Sequence, residues 1–130
     1  MEAAIQFENV VKRYDKVEAL RGVSFSVGKG EMFGLIGPDG AGKTTSIRAI
    51  CGLLHVDEGA IRVLGKDPVK QHRDVTGTVG YLSQRFSLYG DLSIDENIAF
   101  FAEIHGVGDF RARRDRLLDM TQLTKFRGRL

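Results

Sequence analysis

A chain of 130 residues, 42% hydrophobic and 28% charged, has the makings of one modest folded domain. Its formal net charge of +2 gives no argument for nucleic acid as a partner, and no apolar run reaches the roughly 18 residues of a membrane span. Charged residues from Glu2 onward read against a signal peptide, and the single cysteine, Cys51, excludes an internal disulfide and fits a reducing compartment. Ile5 and Phe7 alternate at the start, before the polar stretch Lys12-Arg13-Tyr14-Asp15-Lys16. Val23-Ser24-Phe25-Ser26-Val27 alternates strictly and predicts a half-buried strand, closed by a turn at Gly28-Lys29-Gly30. Met32-Phe33-Gly34-Leu35-Ile36 is apolar without alternation, the pattern of a central strand covered on both faces.

A glycine-rich loop, residues 37–42, then runs into a helical stripe of Ile47, Ile50, Cys51 and Leu54. Asp57-Glu58-Gly59 turns the chain into a short strand from Ala60 to Leu64, and Thr78 to Leu82 predicts another, ending at Ser83-Gln84. Ser93-Ile94-Asp95-Glu96 has the form of a capping box for a helix with Ile94, Ile98, Phe101 and Ala102 on one face. Gly106 ends it, and a further helix starts near Asp109 with Phe110, Leu117 and Leu118 as its apolar residues. The plan is α/β with a helical appendage.

Residues 37–44, Gly37-Pro38-Asp39-Gly40-Ala41-Gly42-Lys43-Thr44, match G-x-x-x-x-G-K-[ST] at every fixed position. A triphosphate is a dense cluster of negative charge that needs many N–H donors at close range. Glycines at 37, 40 and 42 let the backbone bend and approach without a Cβ in the way. The loop becomes a nest of amides, and the following helix adds the positive end of its dipole. Lys43 can place an ammonium on the β- and γ-phosphates, Thr44 a hydroxyl on Mg²⁺, and Thr45 a further donor on a neighbouring phosphate. A chance glycine-rich turn is the bland alternative. The strand-type segment before the loop and the amphipathic helix after it count against that.

With that motif in place, further stretches resemble the ABC ATPases. The run from Phe7 through Tyr14 and Val23 to Gly30-Glu31 is similar to the family's opening β-subdomain, and Tyr14 stands where the family stacks an aromatic ring on adenine. Tyr81-Leu82-Ser83-Gln84 resembles the strand and glutamine that begin the family's Q-loop. The resemblance implies that Gln84 helps hold Mg²⁺ and position the attacking water. Arg85 to Tyr89 and Asp91 to Asn97 resemble type-2 exporters of the drug-efflux kind. Asp39 stands where most members carry Asn, and Val56 where a proline is common.

The implied fold is α/β, a truncated P-loop NTPase of the ABC ATPase type. Residues 1–84 would be an antiparallel β-subdomain with an incomplete nucleotide-binding core, including the strand before the loop and the Q-loop strand. Residues 85–130 would begin the helical subdomain. The implied ligands are ATP and Mg²⁺. The implied partners are a transmembrane permease subunit and a second ABC ATPase domain, paired head to tail on the cytoplasmic face of the membrane, with no nucleic acid. A non-hydrolysing nucleotide- or partner-binding module and another P-loop enzyme, such as a small-molecule kinase, are the alternatives.

No LSGGQ-like signature segment occurs, no apolar strand ends in Asp-Glu, and His55, His72 and His105 all come too early for the family's switch histidine. Leu53 to Glu58 imitates the Asp-Glu strand but reads as a turn. Without those strands, the segments ending at the phosphate loop and at Gln84 are expected to stand about 14 Å apart with open, adhesive edges, making the isolated chain marginally folded. Tyr14 as a plain surface aromatic, and Gln84 as a plain polar strand end, remain the alternative readings. Cys51 reads as an inert core thiol, and Arg111, Arg113, Arg114 and Arg116 as a solvated helix face, with nucleic acid or lipid headgroups the alternative. Phe86, Leu88 and Tyr89 read either as core or as a patch awaiting a partner.

Overall fold

The computed structural model describes residues 2–130, which divide into two compact units, the first running to Leu82 and the second from Ser83 to Leu130. The first unit is built on β1 (Ala3–Tyr14), β2 (Val17–Gly28) and β3 (Glu58–Val63), an antiparallel sheet of order β2-β1-β3. Asp15 and Lys16 make a two-residue turn between β1 and β2, with Asp15 in the left-handed region at φ 51°. Such a turn matches the twist of the strands it joins.

The alternation at Phe25 and Val27 works as the pattern predicts. One sheet face carries Phe7, Val10, Leu20, Ile61 and Val63 into a core shared with Ala49 and Val75. Leu20, Val10 and Val75 are sealed from solvent, and each full burial of this kind contributes roughly 1.5–3 kcal/mol. β1 bulges between Phe7 and Val10, and β3 follows it with a register shift between Glu8 and Val11. Gly59 makes that crossing possible, because a Cβ there would stand 2.4 Å from the carbonyl oxygens of Glu8 and Asn9.

Two expected strands do not form ladders. Residues 31–38 and 79–82 have no strand hydrogen-bonded to them among the described residues. A strand exists only with a partner beside it. The apolar run at 32–36 instead lies alongside the sheet by side-chain stacking, with the Phe33 ring 5.4 Å from Phe25 and that ring 4.4 Å from Phe7. Met32 and Ile36 stay fully exposed.

Helix α1 (Lys43–Ile50) is shorter than the apolar stripe suggested. Cys51 forms its C-cap, and Leu54 packs on the core from the loop beyond. Burial raises the Cys51 thiol above its ordinary pKa, so the unreactive reading of Cys51 holds. The stretch imitating an Asp-Glu strand is a loop running into β3, where Asp57 accepts from the Arg13 amide at 2.6 Å and Glu58 pairs with the Arg13 guanidinium at 2.5 Å. A single turn of helix, α2 (His72–Thr76), buries Val75 and was not legible as a helix.

In the second unit, α3 (Ile94–Ile104) starts with the expected capping box. Ser93 Oγ accepts from the Glu96 amide at 3.2 Å, and Glu96 Oε1 accepts from the Ser93 amide at 3.0 Å. The second helix, α4 (Arg111–Met120), buries Leu118 and turns Leu117 outward, since neighbours on a helix cannot share one inward direction. Arg127 fastens the two helices, reaching Asp95 and Asp115 at 3.0 Å each. Of the arginine run, Arg114 is mostly covered and lies with Arg111 over the Phe110 ring. Arg113 and Arg116 are exposed, as a solvated face requires.

Candidate functional site

The phosphate-type loop is held open by backbone conformation. Gly42 is the N-cap of α1 at φ 89°, and a Cβ there would stand 2.6 Å from the Ala19 carbonyl oxygen and 2.7 Å from Leu20 Cδ2. Only glycine tolerates both the dihedral and that approach to β2. No side chain caps α1, no acidic residue lies in its first turn, and the first amide it bonds internally is Ser46, donating to Gly42 O at 2.9 Å. The amides of Lys43, Thr44 and Thr45 thus form a bare set of donors at the positive end of the helix.

Lys43 Nζ turns back and donates to the Gly37 carbonyl oxygen. The ammonium therefore closes across the same loop that would surround an anion. Thr44 is exposed and Thr45 half-buried at the helix start. Pro38, Asp39, Gly40 and Ala41 form the exposed crest, braced by the Ala41 amide donating to Pro38 O at 3.2 Å. Beside the helix, a cavity of about 520 Å³ is lined by Phe25, Phe33, Leu35, Lys43 and Ile47.

Tyr14 stands at the end of β1, half exposed, with Lys12 Nζ over its ring at 5.1 Å from the centroid. Tyr14 and the loop belong to the same unit, whereas Gln84 lies near the start of the second unit, exposed and in a bend. Among the described residues no three His, Cys, Asp or Glu side chains gather as a metal cage. The donor set at the helix start is a threonine hydroxyl, which suits an ion that brings phosphate oxygens of its own.

The chain matches the family model for ABC transporters over residues 20–130. It belongs to the ABC transporter family. It is 36% identical, over 93% of its length, to a probable multidrug ABC transporter ATP-binding protein, YbhF, of Escherichia coli (strain K12). It is 38% identical, again over 93% of its length, to the linearmycin resistance ATP-binding protein LnrL of Bacillus subtilis (strain 168). It spans 21% of the first relative and 40% of the second. A solved ATP-binding subunit of an ABC transporter superposes with a TM-score of 0.84 at 27% identity, covering 98% of this chain and 54% of that one. The chain therefore has part of the ABC nucleotide-binding fold.

The second unit of this ABC chain carries the exporter-like stretch. Phe86 is 81% exposed, and Leu88 and Tyr89 are about half exposed, so the three are not core. They border an apolar cavity of about 820 Å³ lined also by Ile98, Phe101 and Leu118. Asn97, inside the capping-box helix, holds that loop in place. It is buried, its Oδ1 accepts from the Tyr89 amide at 2.9 Å, and its Nδ2 donates to the carbonyls of Tyr89, Leu92 and Ser93 at 3.0–3.2 Å. No motif in the sequence announces this role. A polar residue on the inward face of an otherwise apolar helix was the signal.

Proposed function

We propose that this chain is the ATP-binding portion of an ABC exporter subunit, in which binding and hydrolysis of Mg·ATP drive transport through a transmembrane partner. The observation that carries the reading is the bare amide cluster at residues 43–45, capped by a left-handed Gly42 and crossed by the Lys43 ammonium. Lys43 exchanges the Gly37 carbonyl for the β- and γ-phosphates. Thr44 gives its hydroxyl to Mg²⁺, Thr45 donates to a neighbouring phosphate, and the amides of the 37–42 loop surround the rest. Tyr14 stacks on the base, and Gln84 positions water beside the metal.

Exporter rather than importer is supported by the named functions of the relatives, a probable multidrug transporter and a linearmycin resistance protein. The partners are a transmembrane permease subunit and a second ABC ATPase domain arranged head to tail, at the cytoplasmic face of the membrane. The exposed Phe86, Leu88 and Tyr89 are the surface offered to the permease. No helix among the described residues is long and apolar enough to cross a membrane.

Hydrolysis needs a carboxylate base and a signature segment, and the 130-residue sequence contains neither. The chain by itself is therefore a binding module that turns over no ATP above background. Equilibrium titration with Mg·ATP tests the reading. Binding by the wild-type chain and none by Lys43→Ala is the expected result. Equal binding by both proteins would remove the loop from the site, and steady-state phosphate release that disappears in Lys43→Ala would refute the claim of inactivity.

A further inference from the structure

Lys12 is a cation that no carboxylate claims. Among the described residues it makes no ion pair, whereas the guanidinium of its neighbour Arg13 is engaged by Glu58. It is half-buried, and its ammonium rests over the Tyr14 ring. The ammonium over the ring puts the Lys12 and Tyr14 side chains on one side at the end of β1, across the register shift between Lys12 and Arg13.

The register extends that side to the phosphate loop. Lys12 stands directly opposite Leu20 on β2, and directly paired residues point the same way. Leu20 Cδ2 is in turn one of the atoms that a Cβ on Gly42 would strike. One sheet face thus presents Tyr14, then Lys12 beside Leu20, then the end of the loop. A nucleotide with its base on Tyr14 and its β- and γ-phosphates in the loop must carry its ribose and α-phosphate across the middle of that series. Lys12, paired with Leu20, stems from that part of the strand pair.

We propose that Lys12 is a second phosphate-binding cation of the site, taking the α-phosphate while Lys43 takes the β- and γ-phosphates. The proposal rests on the reading of the loop and Tyr14 given above. The ring holds the ammonium nearby in the absence of ligand, by attraction between its charge and the π face. A phosphate oxygen is the stronger acceptor, so the lysine exchanges one for the other without a backbone change. Lysine suits the task as a compact charge on a flexible stem.

Titrations of ATP, AMP and adenosine, followed by ligand-observed NMR, separate the contributions. Lys12→Met is expected to weaken ATP and AMP about three- to tenfold and to leave adenosine unchanged. Lys12→Arg, which keeps the charge, should recover most of the loss. Lys43→Ala should weaken ATP far more than AMP. If Lys12→Met weakens adenosine as much as ATP, the lysine acts only through the Tyr14 ring and the phosphate contact is overturned. Unchanged affinity for all three ligands also overturns it. If instead ATP binding is indifferent to Lys43→Ala, the underlying loop reading fails, whatever Lys12 does.

Discussion

Val23–Val27 and Met32–Ile36 lie on either side of one turn, and both are rich in apolar residues. The first is part of β2, bonded to β1, with Val27 buried to 8% exposure. The second has no ladder, and Met32 and Ile36 are 100% and 98% exposed. The difference lies in partners and not in composition. Backbone amides and carbonyls need a neighbouring strand, and apolar side chains need a surface to cover. Only Phe33, stacked on Phe25, and the half-buried Leu35 attach the second segment to its unit.

The largest expected effect tests the first member of this pair at its core. Leu20→Ala should lower stability by about 2–5 kcal/mol, because Leu20 is sealed between β1 and the start of α1. Met32→Ser should change stability by no more than about 0.5 kcal/mol, while reducing self-association at high concentration. Urea denaturation followed by circular dichroism, with light scattering beside it, reads both. A loss at Met32 comparable to that at Leu20 would mean the 32–36 segment is packed after all.

Gly42 tests the seam between sheet and loop. Gly42→Ala imposes a left-handed dihedral on a residue with a Cβ and drives that Cβ toward the Ala19 carbonyl. The expected cost is about 1–3 kcal/mol, together with loss of Mg·ATP binding as the amides at 43–45 turn away. If thermal stability falls and calorimetric ATP affinity is retained, the loop is less dependent on its seat on β2 than the geometry implies.

The second unit sharpens the comparison, because it closes its chain ends with side chains where the 32–36 segment has none. Ser93→Ala removes one half of a reciprocal cap and should cost about 1 kcal/mol. Faster amide exchange at the start of α3 would report it, with little change in β1 to β3. Uniform loss of protection across both units would show that the cap supports more than its own helix.

Much of this was legible in the residues, and the reasons differ by region. The G-x-x-x-x-G-K-[ST] run fixes its own conformation, with Gly42 left-handed at the helix start, and Ser93 with Glu96 fixes a helix start, because both signals are local. The sheet order β2-β1-β3, the bulge near Asn9 and the approach of Gly59 to β1 depend on residues far apart in sequence, so no local pattern announces them. The 32–36 and 78–82 strands failed as expectations for a related reason. Their apolar patterns describe a burial that only neighbouring strands can supply. In the sequence Lys12 is only one member of the polar stretch 12–16, and its place opposite Leu20 comes from the register.

The smallest effect concerns charge. Glu96 is held below its ordinary pKa by the Ser93 amide and hydroxyl, and Asp115 by Arg114 and then Arg127. In the first unit Asp67 is lowered by the backbone amide of Lys70, with a smaller contribution from Val69. A carboxylate whose folded pKa is depressed adds stability above its unfolded pKa, and that stability is lost as pH falls through the folded value. Unfolding midpoints should therefore hold steady near neutrality and fall below about pH 4.5, the ordinary range for Glu and Asp. Glu96 and Asp115 are exposed and Asp67 is only partly covered, so screening keeps the change modest. Glu96→Gln should flatten the acid limb for α3 while leaving the limb set by Asp67, which separates the two units by titration. An acid limb identical in wild type and Glu96→Gln would show that the cap carboxylate contributes only as a neutral acceptor.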